Sequence, residues 1–384
     1  MQLRTRSTPQ PLRVLHVIPT LSGGGAEAFL CALAGAFDPS LVHTGVMPVY
    51  PSRVPFDGAQ LREIEVLKID RCGRYDPGFL ARIVAGIRRF RPDVVHAHLH
   101  NGKYWGRIAA IAARVPIVVF TEHSPQGEAR SFPEMLVDEV INRITDAVIT
   151  FTDQQRLMLI AKERIPASKL AVIENGIDLP DPPDGRHRNQ ARERLGVESR
   201  EFAVAIVGRL APVKNAQLGI RAIAALQASM RESVRLCVVG DGPELESLRE
   251  LARSHDVAER VKFFGHRCDV KDLLYGADVL FIPSLIEGMP LAGLEAMTVG
   301  LPVISTPWPG SRELFVDRGA GIVLTDWEPH TAASAFEYAA AHPQDLRRMG
   351  ECALGFARER YDIQRAAREH ERLYAELARR KGLR

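Results

Sequence analysis

The sequence predicts an α/β protein built from two doubly wound parallel-sheet domains. Three observations carry this reading. Short β-branched runs alternate with amphipathic helical segments along the chain, the pattern of a parallel sheet covered on both faces. The alternation restarts after a polar, proline-rich passage, D-L-P-D-P-P-D-G-R-H-R-N, that follows Asn175-Gly176 and has the composition of a linker. The length, 384 residues, also exceeds what one hydrophobic core usually supports.

In the first half, strands are predicted at 12–18, 43–49, 66–69, 94–98, 117–121, 147–151 and 170–173. The clearest helix between them carries Phe79, Leu80, Ile83, Val84, Ile87 and Phe90 at three- and four-residue spacing. In the second half, strands are predicted at 202–208, 234–240, 261–264, 279–282, 303–306 and 321–324, followed from about Pro343 by two charged helices. The expected organisation is a disordered tail at 1–10, a Rossmann-like domain at 11–176, a linker at 177–189 and a second Rossmann-like domain at 190–360. A terminal helix at 361–384 completes it. Two such sheets are expected to face a central cleft, with ligands bound outside the carboxyl ends of the strands.

Composition narrows the class. A hydrophobic fraction of 46% and a charged fraction of 25% are ordinary for a globular protein. The net charge of +3 lies in residues 1–180 and is too small to imply a nucleic-acid partner. Five scattered cysteines, Cys31, Cys72, Cys237, Cys268 and Cys352, form no C-x-x-C pair, which fits a reducing compartment and neither a disulfide framework nor a zinc site. No apolar run reaches the ~18 residues that span a bilayer, and the basic N-terminus lacks a cleavage-site pattern. A cytoplasmic protein is expected.

Several motifs carry chemistry. Gly23, Gly24 and Gly25 follow the first strand and open a helix; such a loop is either a plain turn or an anion site made by backbone N–H groups and the helix dipole. It is not a dinucleotide fingerprint, since residue 45, twenty beyond Gly25, is glycine rather than an acid. Arg209 and Lys214, in V-G-R-L-A-P-V-K-N, flank a proline turn at a strand end. They read as surface cations or as a pair converging on a diphosphate. The turn V-V-G-D-G-P-E-L is mostly helix-start chemistry, with Gly240 and Gly242 at the same sheet edge. In E-G-M-P-L-A-G-L-E, Glu287 precedes a helix and Glu295 lies about one turn inside it. The N–H groups of Leu291 and Ala292 are free to meet an anion, and carboxylates accept paired sugar hydroxyls.

Histidines crowd two strand ends, His96, His98 and His100 in D-V-V-H-A-H-L-H-N and His123 in T-E-H-S. The first three share a side only if the strand continues; a metal site there is conceivable, but no carboxylate or cysteine stands at clear ligand spacing and the chain holds no Asp-x-Asp. Arg71, Arg74, Arg82, Arg88, Arg89 and Arg91 surround the helix at 79–90. That helix either packs its apolar stripe on the core or lies on an anionic membrane.

Taken in order, G-G-A-E, D-V-V-H-A-H, T-E-H-S, N-G-I-D, V-G-R-L-x-x-x-K, V-V-G-D-G-P and E-G-M-P-L-A-G-L-E-A-M resemble the retaining glycosyltransferases of the GT-B fold, group 1 (family 4), which build bacterial surface polysaccharides and glycolipids. The resemblance spans nearly the whole chain, and E-x7-E with the Arg/Lys pair is its specific part. It implies a nucleotide-sugar donor (UDP-, GDP- or ADP-sugar) held mainly by the C-terminal domain and a saccharide or lipid-linked acceptor on the N-terminal side. It also implies no metal; peripheral contact with the inner face of the membrane is the alternative that the basic helix at 79–90 leaves open.

By resemblance, Arg209 and Lys214 hold the diphosphate, aided by Gly24, Gly25 and the N–H groups of Leu291 and Ala292. Glu295 takes the ribose hydroxyls, and Glu287 the sugar hydroxyls together with the Met289 N–H. His123 faces the sugar, and the base lies near Gly265 and Arg267. His98 and Asn101, with the loops at 49–56 and 98–103, fall on the acceptor side, and the terminal helix at 361–384 crosses back to the first domain. One position departs: Pro290 stands where many members carry glycine, removing one backbone donor. The alternatives are a sugar-nucleotide epimerase of the same architecture and a non-catalytic nucleotide-sugar sensor.

Overall fold

The structure, a computed structural model, describes residues 10–22, 24–51, 64–70, 76–123, 132–179 and 185–383, the side chains of 132–136 and 185 excepted. It comprises two compact units, residues 1–176 with 363–384, and residues 177–362.

The first unit runs β1 Leu12–Ile18, α1 Gly25–Ala36, β2 Val42–Pro48, β3 Glu65–Val66, α2 Phe79–Phe90, β4 Val94–His98, α3 Leu99–Ala113, β5 Ile117–Thr121, α4 Phe132–Ile144, β6 Ala147–Thr150, α5 Asp153–Glu163 and β7 Leu170–Val172. Its strands pair in parallel in the order β3-β2-β1-β4-β5-β6-β7. The second unit runs α6 Gly185–Leu195, β8 Phe202–Val207, α7 Gln217–Ala225, α8 Ala228–Arg231, β9 Val234–Val239, α9 Leu245–Ser254, β10 Val261–Phe263, α10 Val270–Leu274, β11 Val279–Ile282, α11 Leu291–Thr298, β12 Val303–Ser305, β13 Gly321–Val323, α12 Pro329–Ala341 and α13 Pro343–Arg360. Its strands pair in the order β10-β9-β8-β11-β12-β13, again in parallel. The last helix, α14 Ile363–Arg380, belongs to the first unit.

The strand order reverses direction between β1 and β4 in one sheet and between β8 and β11 in the other. At such a switch point neighbouring loops part and leave a crevice at the carboxyl edge. The motif-bearing turns after β1, β4, β8 and β11 all leave from these two places.

The predicted strands are found with ends shifted by a residue or so, save that β3 is only Glu65–Val66 where 66–69 was expected. Two boundaries need correction. The segment expected to be a linker at 177–189 already belongs to the second unit. Ile177 bridges Asp362 and donates its N–H to the Tyr361 carbonyl at 2.8 Å, and α6 starts at Gly185. The terminal helix starts at Ile363 rather than 361. Most of the expected N-terminal tail, Gly23, Arg71, Arg74 and part of the loop at 49–56 lie outside the described residues.

Packing decides between the two readings of α2. Phe79, Ile83, Ile87 and Phe90 are buried in the first unit's core with Leu15, Val17 and Met47. The apolar stripe is thus spent on folding, while Arg88, Arg89 and Arg91 stay exposed. The helix stops at Arg91, left-handed at φ 53° before Pro92, because proline disfavours helical conformation in the residue before it. Among the described residues, no helix is long and apolar enough to cross a membrane.

Buried charge is paired. Arg107, fully enclosed, donates to Asn142 Oδ1 at 2.9 Å and Thr145 Oγ1 at 3.1 Å, and Lys103 meets Asp138 at 3.1 Å. At the start of α5, Thr152 Oγ1 accepts the Gln155 N–H at 3.1 Å, an N-cap that satisfies one orphan donor. Thr152→Ala is expected to cost about 1 kcal/mol, read as a lower denaturant midpoint with unchanged slope.

Candidate active site

In the second unit the site is built at the ends of β8 and β11. Gly208 and Gly240 end neighbouring strands with φ of 150° and 145°, and a Cβ on Gly240 would stand 1.8 Å from the Gly208 carbonyl oxygen. Only glycine allows these two strand ends to approach so closely. The chain then turns through Arg209 into a short 3-10 segment, Pro212–Lys214, closed by Asn215 in the left-handed region at φ 51°. The Leu285 N–H donates to the Val213 carbonyl at 2.9 Å, and Asn215 Nδ2 to the Pro283 carbonyl at 3.2 Å. These bonds bind the post-β8 turn to the post-β11 loop.

That lacing brings together residues 73 positions apart. Lys214 Nζ donates to Glu287 Oε1 at 2.6 Å, and Ser284 Oγ donates to the same oxygen at 2.6 Å. Glu287 is buried and Lys214 about one-third exposed, so the carboxylate is fixed and the ammonium looks outward. Ser284 is held in turn, its carbonyl accepting from Thr306 Oγ1 at 2.5 Å and Trp327 Nε1 at 3.2 Å. Ser284, Thr306 and Trp327 were not singled out from sequence; "P-S" at the strand end was the only signal.

Arg209 is exposed and has no ion-pair partner among the described residues. Helix α11 begins at Leu291 after Pro290, with no side-chain cap. The N–H groups of Leu291 and Ala292 have no partner among the described residues, since the first turn's bonds to the Pro290 carbonyl come from Gly293 and Leu294. Met289 is buried beside them. Glu295, half-buried in α11, accepts no side-chain hydrogen bond among the described residues. Burial pushes its carboxyl up, and the Lys271 ammonium only partly opposes this. Gly265 is left-handed at φ 65°, and its carbonyl accepts the Gly240 N–H at 2.8 Å. Arg267 is occupied, in a fork to Asp269 at 2.7 and 2.6 Å.

In the first unit, Gly24 precedes α1, and a Cβ there would lie 2.3 Å from Glu27 Oε2. The nearly buried Glu27 carboxylate, which also accepts from Thr20 Oγ1 at 3.2 Å, curls back over its own helix N-terminus. An anion arriving at Gly24 and Gly25 would meet that charge, which the glycine pattern alone does not reveal.

The histidines answer the question of facing. His16 pairs in register with His96, and His98 with Thr121. All point to one face of the sheet, together with Tyr374 and His370 of α14. His98 Nε2 lies 3.0 Å from His16 Nδ1, and His98 Nδ1 lies 3.2 Å from His123 Nε2. His96 meets the Tyr374 hydroxyl and Thr121 Oγ1, each at 2.7 Å.

His98, expected on the acceptor side, is completely buried with both ring nitrogens engaged, because the alternation that it shares with His96 turns it inward. The strand stops there, because Leu99 turns left-handed at φ 59° and opens α3, leaving His100 and Asn101 exposed. His123 stands half-buried at the edge. Ligand atoms of His16, His96 and His98 lie within 4.8 Å of one another, yet those rings hydrogen-bond to each other and to hydroxyls. A separate hollow of about 700 Å³ at the other edge of this sheet is lined by Leu12, Asp38, Arg368 and Glu371 and contains none of these residues.

Cations, helix N–H groups without a partner among the described residues and a fixed carboxylate at a switch point are chemistry that suits an anionic, hydroxyl-rich ligand. The family described as glycosyl transferases group 1 matches residues 187–354, and glycosyltransferase family 4 matches residues 23–180. Together they account for most of the chain, which belongs to the group 1 glycosyltransferases with the GT-B fold; the epimerase and sensor readings are not favoured.

The chain is 27% identical to the UDP-Gal:alpha-D-GlcNAc-diphosphoundecaprenol alpha-1,3-galactosyltransferase of Escherichia coli, over 83% of this chain and 85% of that one. It is 27% identical to a D-inositol 3-phosphate glycosyltransferase of Kineococcus radiotolerans, over 77% and 76%. In fold it is similar to the Anabaena protein HepE, crystallised with UDP and glucose, at a TM-score of 0.83 and 22% identity over 95% of this chain and 99% of that one.

Proposed function

We propose that this glycosyltransferase moves a sugar from a nucleoside-diphosphate sugar to a saccharide or lipid-linked acceptor, with retention of configuration and without a metal ion. The observation that carries it is the Lys214–Glu287 pair at 2.6 Å, set beside unpartnered N–H groups at the switch point. Lys214, Arg209 and the N–H groups of Leu291 and Ala292 take the diphosphate. Glu287 holds a hydroxyl of the sugar, near the Met289 backbone. Glu295, open to donors, takes the ribose hydroxyls, and the base lies by Gly265. Arg267, already forked to Asp269, contributes only its backbone. From the first unit, His123 and the turn at Gly24 and Gly25 serve the sugar and phosphate, and Asn101 the acceptor.

In the reaction the bond between the anomeric carbon and the diphosphate oxygen breaks. Negative charge grows on the departing oxygen, where fixed positive groups act most strongly. The acceptor hydroxyl attacks from the same face, its oxygen bonds to the anomeric carbon, and its proton passes to the departing phosphate. No second carboxylate at glycosidase spacing is needed. The activity that names the E. coli relative, galactose transfer from UDP-galactose to a diphosphoundecaprenol-linked sugar, supports a lipid-linked acceptor and a bacterial surface-polysaccharide or glycolipid role, at the inner face of the membrane.

Two measurements test this reading. UDP-, GDP- and ADP-sugars are screened by thermal shift, and the stabilising donor is incubated with and without undecaprenyl-diphosphate-linked acceptors. A product keeping the donor's anomeric configuration, formed only with acceptor, is expected; an isomerised donor formed without acceptor contradicts transfer. Turnover is also expected to survive excess EDTA, whereas loss restored by a divalent ion rules out the metal-free scheme.

A further inference from the structure

We propose that His16 and His98 are positioning residues that fix which ring nitrogen of His123 carries the proton, placing it on Nδ1. The proposed role of His123 toward the sugar supplies the functional consequence, and the proton arrangement stands independently of it.

The geometry is a chain of three imidazoles. His16 Nδ1 contacts His98 Nε2 at 3.0 Å, and His98 Nδ1 contacts His123 Nε2 at 3.2 Å. His16 and His98 are completely enclosed, and burial holds both rings far below the usual histidine range, His16 at about 3. A neutral imidazole has one N–H and one lone pair. Three neutral rings in a row must therefore all donate in the same direction.

Donation inward, from His123 toward His16, would leave the His16 Nε2–H buried with no acceptor, since that atom has no partner among the described residues. Donation outward leaves only a lone pair there. His370 shows the same preference. Its Nδ1 donates to the Ala366 carbonyl at 2.8 Å, so its unpartnered Nε2 is also a lone pair. A stranded buried N–H is the rarer and costlier defect. The outward direction makes His16 Nδ1–H donate to His98, His98 Nδ1–H to His123 Nε2, and His123 Nδ1–H to whatever lies beyond. His123 then offers a hydrogen-bond donor to an oxygen, and its choice of tautomer is set two residues back.

The experiment is long-range 15N–1H correlation on protein labelled with 15N-histidine at pH 7.5, paired with donor kinetics. Wild type is expected to show His123 neutral and protonated on Nδ1 alone. His16→Met puts a thioether, an acceptor with no N–H to give, where the first donor stood, so His98 can turn its N–H inward; His123 is then expected to split between tautomers and the donor KM to rise about three- to tenfold, the worth of one hydrogen bond, with kcat little changed. His16→Asn, whose amide nitrogen can stand in for Nδ1, should restore the single tautomer and the KM. An Nε2-protonated or cationic His123 in the wild type overturns the inference, as does a folded His16→Met with an unchanged tautomer. Stoichiometric metal in the purified protein overturns it too, because the ring nitrogens would then carry an ion. Expected tautomers in a protein that transfers no sugar would sink the functional reading and leave this one standing.

Discussion

Lys214→Ala is expected to lower kcat/KM for sugar transfer by at least about a thousandfold while the protein stays folded. Deleting one fixed donor to a developing negative charge typically costs on the order of 10²–10³ in rate. Here a second penalty adds to it. Glu287 is buried, and without Lys214 its carboxylate keeps only the Ser284 hydroxyl at 2.6 Å, an enclosed charge without a counter-ion. The turn itself does not depend on the side chain. Lys214 N–H donates to the Ala211 carbonyl at 2.8 Å and Leu285 N–H to the Val213 carbonyl at 2.9 Å, so the backbone scaffold survives. Glu287→Ala should be as inactive, because Lys214 then loses the partner that aims it. Lys214→Arg keeps the charge but not the compact ammonium geometry and should recover part of the rate. Transfer rates and thermal midpoints of the three purified variants decide the matter: near-normal turnover in folded Lys214→Ala or Glu287→Ala removes these residues from the site.

What could be read in advance followed from locality. The strands were legible because a doubly covered parallel strand is apolar on both faces, and the post-β8 and post-β11 turns because glycine, proline and charge cluster at strand ends. What stayed hidden depends on partners distant in sequence. Ser284 could not be tied to Glu287 without knowing how the loop folds back. The fate of His98 hung on whether β4 continued past it, and Leu99 settles that by adopting a left-handed conformation at φ 59° that leucine seldom takes. That α14 returns to the first unit followed from the family resemblance, but its own helix pattern does not announce that His370 and Tyr374 are the side chains that meet the strand-end histidines there. The proline-rich run near 180 marked a break in pattern, yet Ile177 before it is already tied to the second unit, its N–H donating to the Tyr361 carbonyl.

Mild acid is expected to unfold the first unit well before the second. His16, His96, His98 and His370 are all buried, and burial lowers each below the usual value of 6.5, to about 3 for His16 and about 4 for His370. The unfolded chain protonates these rings near pH 6.5, while in the folded one His16 and His370 resist until pH 3–4 and His96 and His98 are also held well below the usual range, so below pH 6.5 the unfolded state binds more protons. Stability therefore falls as pH falls, by about 1.4 kcal/mol per pH unit for each such group. At pH 5 His16 alone accounts for roughly 2 kcal/mol, and its neighbours act in the same direction. Glu371, raised by burial, works the other way, but it is one group against four. The histidines of the second unit, His187, His255, His266, His330 and His342, are all exposed. Of the three tryptophans only Trp105 lies in the first unit, so a Trp308→Phe, Trp327→Phe protein reports that unit by fluorescence. Its urea midpoint should drop steeply between pH 7 and pH 5, and His370→Leu should flatten the dependence by about one proton's worth. A midpoint that holds steady to pH 5 would mean the buried imidazoles find a proton in the folded state.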